Sequence, residues 1–355
     1  MRRKALLFGV RAMVSKIGDK LTAAGSHGLG ADRVLRVGVV GAGVMGTNHG
    51  RVMAGLPGIE LVGIVDPLAE HRARAAKMIG CPTFTDLDQL LEAGVDAVTI
   101  AAPTHLHHQV ALACIARGIH VLVEKPIAST VAEGREIVEA ARQAGVTLMV
   151  GHVERFNPAV AAVKQAIKGE DILSIAITRV GPFPPRMSDV GVVIDLAVHD
   201  IDLIRWFTES DIVDVQSQLA SAIAEREDIA LLQFRTESGV LAHINTNWLT
   251  PFKARTVTVA TRGKYVMGDL LTRQVTECFG FQTDGSYSMR HLPVAQDEPL
   301  RAELTAFLGA IRSGGVPAVT GEEGVASLEI AIQCLDAPKK PAATAARPAP
   351  RKVVG

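Results

Sequence analysis

The chain has 355 residues, room for one large or two ordinary domains, and at 48% hydrophobic and 21% charged it holds ample material for packed cores. Lysine plus arginine equals aspartate plus glutamate at 37 each, so net charge gives no pull toward nucleic acid or an anionic membrane. No uncharged apolar run reaches the roughly 18 residues of a spanning helix, and the four cysteines (Cys81, Cys114, Cys278, Cys334) lie too far apart for a metal spacing or a disulfide framework, so a reduced cytoplasmic setting is expected.

Residues 1–33 read as an N-terminal extension without a core. They hold basic residues and a short apolar stretch, but Arg11 interrupts it and no small-residue cleavage site follows. Over 34–151 strand and helix patterns alternate. "VLRVGVVGAG", "IELVGIVDP", "VDAVTIAAPT", "IHVLVEKP" and "GVTLMVGH" are near-continuous Val and Ile runs, as expected of a parallel sheet covered on both faces. Thr104, after Pro103, is a candidate N-cap. Thr130 and Glu133 predict a capping box for a helix that Gly145 ends.

Over 152–336 the pattern changes. "ILSIAITRV", "LLQFRTESGVLAHINTNWL", "RTVTVATRGKYVMGD" and "RQVTECF" read as strands joined by turns at Glu237-Ser238-Gly239 and Thr261-Arg262-Gly263, hence an open, mostly antiparallel sheet. Helices are predicted near 195–208 and 300–313, with a last one near 321–335 packing back on the first domain. Residues 337–355, rich in Pro, Ala and base, read as a disordered tail. The fold class is therefore α/β: a doubly wound dinucleotide-binding domain followed by an α/β domain built on a large open sheet.

Gly41, Gly43 and Gly46 in "GVVGAGVMG" form G-x-G-x-x-G after a strand and before a helix. Glycine suits the tight turn, the close approach of backbone to a pyrophosphate, and the helix–strand contact. The amides of Val44, Met45 and Gly46 then open a helix whose N-terminus faces the phosphates. Asp66 follows at the end of the next strand, where an acid bonds the ribose 2′-hydroxyl and repels a 2′-phosphate. NAD is expected; Arg72 and Arg74 just beyond leave room for NADP. The plain alternative is a structural glycine turn.

In a doubly wound sheet ligands sit at the carboxyl ends of the strands, which is where Glu124 and Lys125 lie, before Pro126. A lysine there can bond a substrate hydroxyl or move a proton; a surface ion pair is the bland alternative. Asp195, His199 and Asp202, spaced i, i+4 and i+7 on a predicted helix, share one face. That combination suits acid–base work by His199 with a carboxylate beside it. A solvated helix face competes with this, and metal binding less so because no third ligand cluster is evident.

"GAGVMG", "PTHLHHQVALACIARGIHVLVEKPIA" and "DLAVHDID" together resemble the Gfo/Idh/MocA family of sugar and polyol oxidoreductases over roughly residues 34–336. The resemblance implies an N-terminal Rossmann domain, NAD(P), and a second domain whose open sheet makes a homodimer or homotetramer. It implies that Lys125 touches nicotinamide and substrate, with Pro103, His107 and Glu124 near the cofactor. It implies His199 as base and Asp195 as an orienting or substrate-binding carboxylate, and leaves Asp200 and Asp202 a structural role. The segment "HVERFNP" is similar to the subgroup that oxidises UDP-N-acetylglucosamine at C3, and bears on substrate through Glu154, Arg155 and Asn157. Asn157 and Pro158 equally suit a helix cap. Arg179 and Arg186, around a Pro-rich loop, are candidate partners of a pyrophosphate, or belong to a surface connector. An inositol or free-sugar dehydrogenase is the alternative of the same class, and a non-enzymatic NAD- or sugar-sensing regulator on the same fold the alternative of a different class.

Overall fold

The computed structural model describes residues 33–184 and 190–336. The expectations for the N-terminal extension up to residue 32, for Arg186 and for the C-terminal tail fall outside these residues. Among them, no helix is long and apolar enough to cross a membrane. The chain forms two compact units, neither a single stretch. The first holds residues up to Glu124, Glu133–Val150 and Leu304–Gly321; the second holds Lys125–Ala132, Gly151–Glu303 and the chain from Glu322. The chain thus crosses from one unit to the other at the Glu124–Lys125 peptide bond.

The first unit alternates β1 (Leu35–Val40), α1 (Val44–Met53), β2 (Ile59–Val65), α2 (Ala69–Ile79), β3 (Thr83–Phe84), α3 (Leu87–Glu92), β4 (Ala97–Ile100), α4 (Thr104–Ile115), β5 (His120–Glu124), α5 (Val131–Ala144) and β6 (Leu148–Gly151). The parallel sheet runs β3-β2-β1-β4-β5-β6, so strand order reverses between β1 and β4. That reversal opens the crevice at which such sheets bind nucleotides. Strands β1, β4 and β5 are mostly apolar because both faces are covered: Leu35, Val37, Val39, Val98, Ile100, Leu122 and Val123 are all fully buried. Helix α5 ends before Gly145, whose φ of 65° is the left-handed stop that glycine supplies. One cap differs from expectation. Pro103, extended at φ −56° and ψ 141°, occupies the N-cap of α4 and its carbonyl accepts from Leu106 N at 2.8 Å, so Thr104 is already helical.

The second unit opens with a 3₁₀ turn (Val153–Phe156) and α6 (Pro158–Ala166), capped by the Asn157 side chain with Pro158 at the first turn. It continues through β7 (Ile172–Pro182), a π-helical turn (Val193–Ala197), α7 (Val198–Thr208), β8 (Ile212–Ala220), β9 (Ile229–Thr236), β10 (Leu241–Asn247), β11 (Leu249–Thr261), β12 (Lys264–Asp269), β13 (Gln274–Phe279) and β14 (Ser288–Leu292); the chain then makes α8 (Pro299–Ser313), which from Leu304 on belongs to the first unit, and α9 (Gly321–Asp336), which from Glu322 on belongs to the second. Its sheet runs β14-β13-β12-β11-β7-β10-β9-β8. All its pairs are antiparallel except β7–β10, which is parallel because the chain makes two further strands before returning beside β7. One face is packed: Ile175, Ile177, Val257 and Val259 from the strands meet Val163 of α6 and Ile201, Ile204 and Phe207 of α7 in one core. Helix α9 corrects an expectation. Its Ile330, Ala331 and Cys334 join this second core, and the segment that returns to the first unit is instead Leu304–Gly321.

Phe307 lies in that returning segment and is fully buried. Phe307→Ala is expected to cost about 3–5 kcal/mol, read as a shift of the urea midpoint. A loss below about 1 kcal/mol would mean that the segment is not built into a core.

Candidate active site

The glycine loop follows β1 directly. Gly41 has φ 99°, and a Cβ there would lie 2.5 Å from the Ala101 carbonyl oxygen. A Cβ on Gly46 would lie 1.8 Å from the Gly41 carbonyl oxygen, so helix α1 sits on the loop as closely as glycine permits. A Cβ on Gly43 would meet nothing within 4 Å: this side of the loop is open. Val44 and Met45 are exposed and α1 has no acid in its first turn, so its leading amides are ready for an anion.

Asp66, just past β2, accepts from Ala42 N (2.8 Å) and Leu68 N (2.9 Å) and pairs with His71 Nδ1 (3.1 Å). Burial pushes its carboxyl up, but these two amides and His71 outweigh burial and hold it below the usual carboxylate range. It is therefore a carboxylate at neutral pH, disfavouring a 2′-phosphate. Arg72 donates to the Asp66 and Pro67 carbonyls, and Arg74 to the Ala42 carbonyl, so both brace the loop main chain. These features fit a dinucleotide whose pyrophosphate lies on the glycine loop. His107 is buried, with Nε2 2.9 Å from the Ala102 carbonyl oxygen, and fixes the turn at Pro103 after β4.

The charged pair at the end of β5 divides. Glu124 is buried and meets His49 Nε2 of α1 at 2.9 Å, tying the strand end to the glycine-loop helix. His49 carried no motif and was not anticipated. Lys125, joined to Pro126 by a cis peptide, belongs to the second unit. Its Nζ donates to the Asp195 carbonyl at 2.7 Å and to the Asp195 carboxylate at 3.2 Å.

Asp195 lies in the π-helical turn that runs into α7, so the regular i, i+4, i+7 face expected for Asp195, His199 and Asp202 is not what forms. Asp195 goes to Lys125, whereas Asp202 goes to Arg155 and Ser327. His199 lies between these groups, half-buried, with Nδ1 fully buried and without a hydrogen-bond partner among the described residues. Its ring meets the His152 ring edge-on at 6.2 Å. Burial, then the charges of Lys125 and Arg179, then His152 and Arg255, hold the His199 pKa well below the usual imidazole value. A neutral imidazole beside an ammonium can accept a hydroxyl proton while the ammonium holds the oxygen.

The residues expected at the substrate are placed differently. Arg179 is 2% exposed. It donates through Nε and Nη2 to Asp200 (2.8–3.0 Å) and through Nη1 to Glu154 (2.7 Å). Burial alone lowers its pKa, but the two carboxylates more than reverse this. Arg155 is forked onto Asp202 at 2.7 Å twice and reaches Glu323 at 2.7 Å. Asn157 caps α6 and donates to the Leu270 carbonyl at 3.1 Å. Glu154, Arg155, Asn157 and Arg179 therefore turn their polar atoms to each other and to the protein frame. Arg255 of β11, which no motif marked, also reaches Glu154, at 3.0 Å.

Comparisons with known proteins agree with this geometry. The signature described as "Oxidoreductase family, NAD-binding Rossmann fold" (GFO/IDH/MocA) matches residues 35–152, and the GFO/IDH/MocA C-terminal domain matches residues 172–266. UDP-N-acetylglucosamine 3-dehydrogenase of Acidithiobacillus ferrooxidans is 30% identical over 84% of this chain and 96% of its own length. A solved structure of that enzyme superposes with a TM-score of 0.80, covering 85% of this chain and 97% of the other at 29% identity. Inositol 2-dehydrogenase 4 of Saccharopolyspora erythraea is 33% identical over 84% of this chain and 91% of its own length. With an NAD-binding Rossmann domain followed by the family's C-terminal domain, the chain belongs to the Gfo/Idh/MocA family of sugar oxidoreductases.

Proposed function

We propose that the chain oxidises a secondary hydroxyl of a sugar, C3 of a UDP-N-acetylhexosamine in first place, with NAD as oxidant. The observation that carries this reading is the triad of Lys125, Asp195 and an uncharged His199. The near full-length likeness to a UDP-N-acetylglucosamine 3-dehydrogenase supports the substrate. An inositol is the second reading, favoured by a relative of similar coverage at 33% identity. A purely sensory role is disfavoured because Lys125 and His199 are both retained. The exposed Leu173, Leu231 and Leu241 on the outer face of the second sheet support a homo-oligomer through that face.

In this mechanism the bound nicotinamide supplies the hydride acceptor. The amides of α1 and the glycine loop hold the pyrophosphate, and Asp66 takes the ribose hydroxyls. His199 accepts the hydroxyl proton of the sugar. Lys125 donates to the same oxygen and stabilises the negative charge that gathers there as the carbonyl forms. Asp195 holds the Lys125 ammonium on that oxygen through two acceptor atoms. Glu124, bonded to His49, fixes the strand end from which Lys125 projects.

Lys125→Ala is expected to lower kcat by about 100-fold or more while NAD binding, read by fluorescence of the reduced cofactor, stays nearly intact. Near-wild-type turnover would sink the assignment. Assayed with NAD against UDP-sugars, inositols and free hexoses, the protein is expected to turn over UDP-N-acetylglucosamine; turnover of inositols alone would favour the second reading.

The pH dependence has a definite sign. His199 is depressed in the folded chain, so it stays neutral, and competent as a base, as pH falls through about 6.5. The acid limb of kcat/KM for oxidation is expected below the ordinary histidine range. The unfolded chain binds the proton first, so the stability associated with this group is full above about 6.5 and is lost as pH falls from there toward the lower folded value. NMR titration of the ring signal that vanishes in His199→Gln checks this, and a midpoint at or above about 6.5 would contradict it.

A further inference from the structure

Arg255 of β11 stands directly across from Arg179 of β7 in the antiparallel register, so both point to the packed face of the sheet. Two guanidinium groups so placed repel unless a carboxylate joins them. Glu154 does so with one oxygen: Oε1 accepts from Arg179 Nη1 at 2.7 Å and from Arg255 Nη1 at 3.0 Å. The two arginines then differ. Arg179 is saturated, since Asp200 takes its Nε and Nη2. Arg255 has only the shared oxygen, and its Nε and Nη2 have no partner among the described residues. Its side chain is 34% exposed, against 3% for Arg179.

The local charges sharpen the contrast. Lys125, Arg179 and Arg255 face Asp195, Asp200 and Glu154. Arg179 draws on two of these carboxylates and Lys125 on the third, leaving Arg255 half of one oxygen. Burial and the neighbouring Arg179 hold Arg255 below the usual arginine value, although Glu154, Asp200 and Asp195 act to raise it. Its charge is felt by His199, whose imidazole it helps keep neutral. A planar fork with one idle edge, partly open and electrostatically joined to the reacting groups, matches the flat, two-oxygen face of a carboxylate or phosphate.

We infer that Arg255 binds an anionic group of the substrate, pairing its free Nε and Nη2 edge with two oxygens of a carboxylate or phosphate. This rests on the sugar-dehydrogenase reading above and adds a charge requirement to it. Glu154 is then a positioning residue, holding Arg255 through Nη1 with the remaining donors facing the ligand.

The test is calorimetric binding to the full chain saturated with NADH, using UDP, glucuronate and neutral myo-inositol as probes, in wild type, Arg255→Gln and Arg255→Lys. The wild type is expected to bind at least one of the two anions. Arg255→Gln is expected to weaken that binding by about tenfold or more, Arg255→Lys by less, with inositol binding unchanged in both. A loss confined to UDP identifies the anion as a pyrophosphate; a loss confined to glucuronate identifies it as a ring carboxylate. Equal anion binding in wild type and Arg255→Gln, an equal loss of inositol, or no anion bound by the wild type would overturn the inference. Because binding is read without turnover, a chain that oxidises no sugar yet loses anion binding with Arg255 refutes the proposed activity and leaves the Arg255 assignment standing.

Discussion

A guanidinium cannot be left alone in a protein interior, and Arg179, at 2% exposure, is the residue in the second unit to which that constraint applies most severely. It is met by Asp200 from α7 and Glu154 from the 3₁₀ turn, three pieces of chain joined by charge-assisted bonds of 2.7–3.0 Å. Asp200 is the neighbour of His199 on α7. The bonds that settle Arg179 therefore also set the rotation of α7, and with it the direction of the His199 ring. A second pair, Arg155 with Asp202, holds the same helix half a turn further on. The cluster is thus a frame, and its cost in desolvation is offset only because each buried charge has a close, well-directed partner.

The frame has an electrostatic consequence at its open edge. His199 sits among Lys125, Arg179 and Arg255 with no carboxylate bonded to its ring among the described residues, so protonating it would add a fourth cation to a crowded site. Asp195, which might have been such a partner, is given to Lys125 instead. The π-helical turn allows this by widening the helix where Asp195 leaves it, which turns both the carbonyl and the carboxylate of one residue toward the lysine. In the first unit the same economy appears at Asp66, which holds the glycine loop by its own carboxylate, and at Glu124, which joins β5 to α1 through His49.

Much of this was legible in the residues. The covered parallel strands are long Val and Ile runs, and the glycine spacing and Asp66 mark the nucleotide loop by steric and electrostatic needs that few residues satisfy. Lys125, Asp195 and His199 stood out because charge at a strand end and on a helix stripe is conspicuous against an apolar background. Less legible was what each charge faces. Arg155 and Arg179 looked equally suited to solvent, ligand or protein, and their partners lie up to 168 residues away in the chain. Strands β8 and β14 carry no clear apolar pattern because β8 is half exposed and polar and β14 almost wholly exposed, and β3 has only two residues. Arg255 sits in a strand of ordinary alternation, and only the cross-strand register reveals that it opposes another arginine.

The step proposed for this chain is transfer of a hydride from C3 of a UDP-N-acetylhexosamine to NAD. UDP-N-acetylglucosamine carrying deuterium at C3, incubated with the protein and NAD, tests it most directly. The expected product is NADH that is heavier by one deuterium, formed more slowly than from the unlabelled sugar when chemistry limits the rate. Unlabelled NADH, or no reduction at all with this substrate, would contradict it.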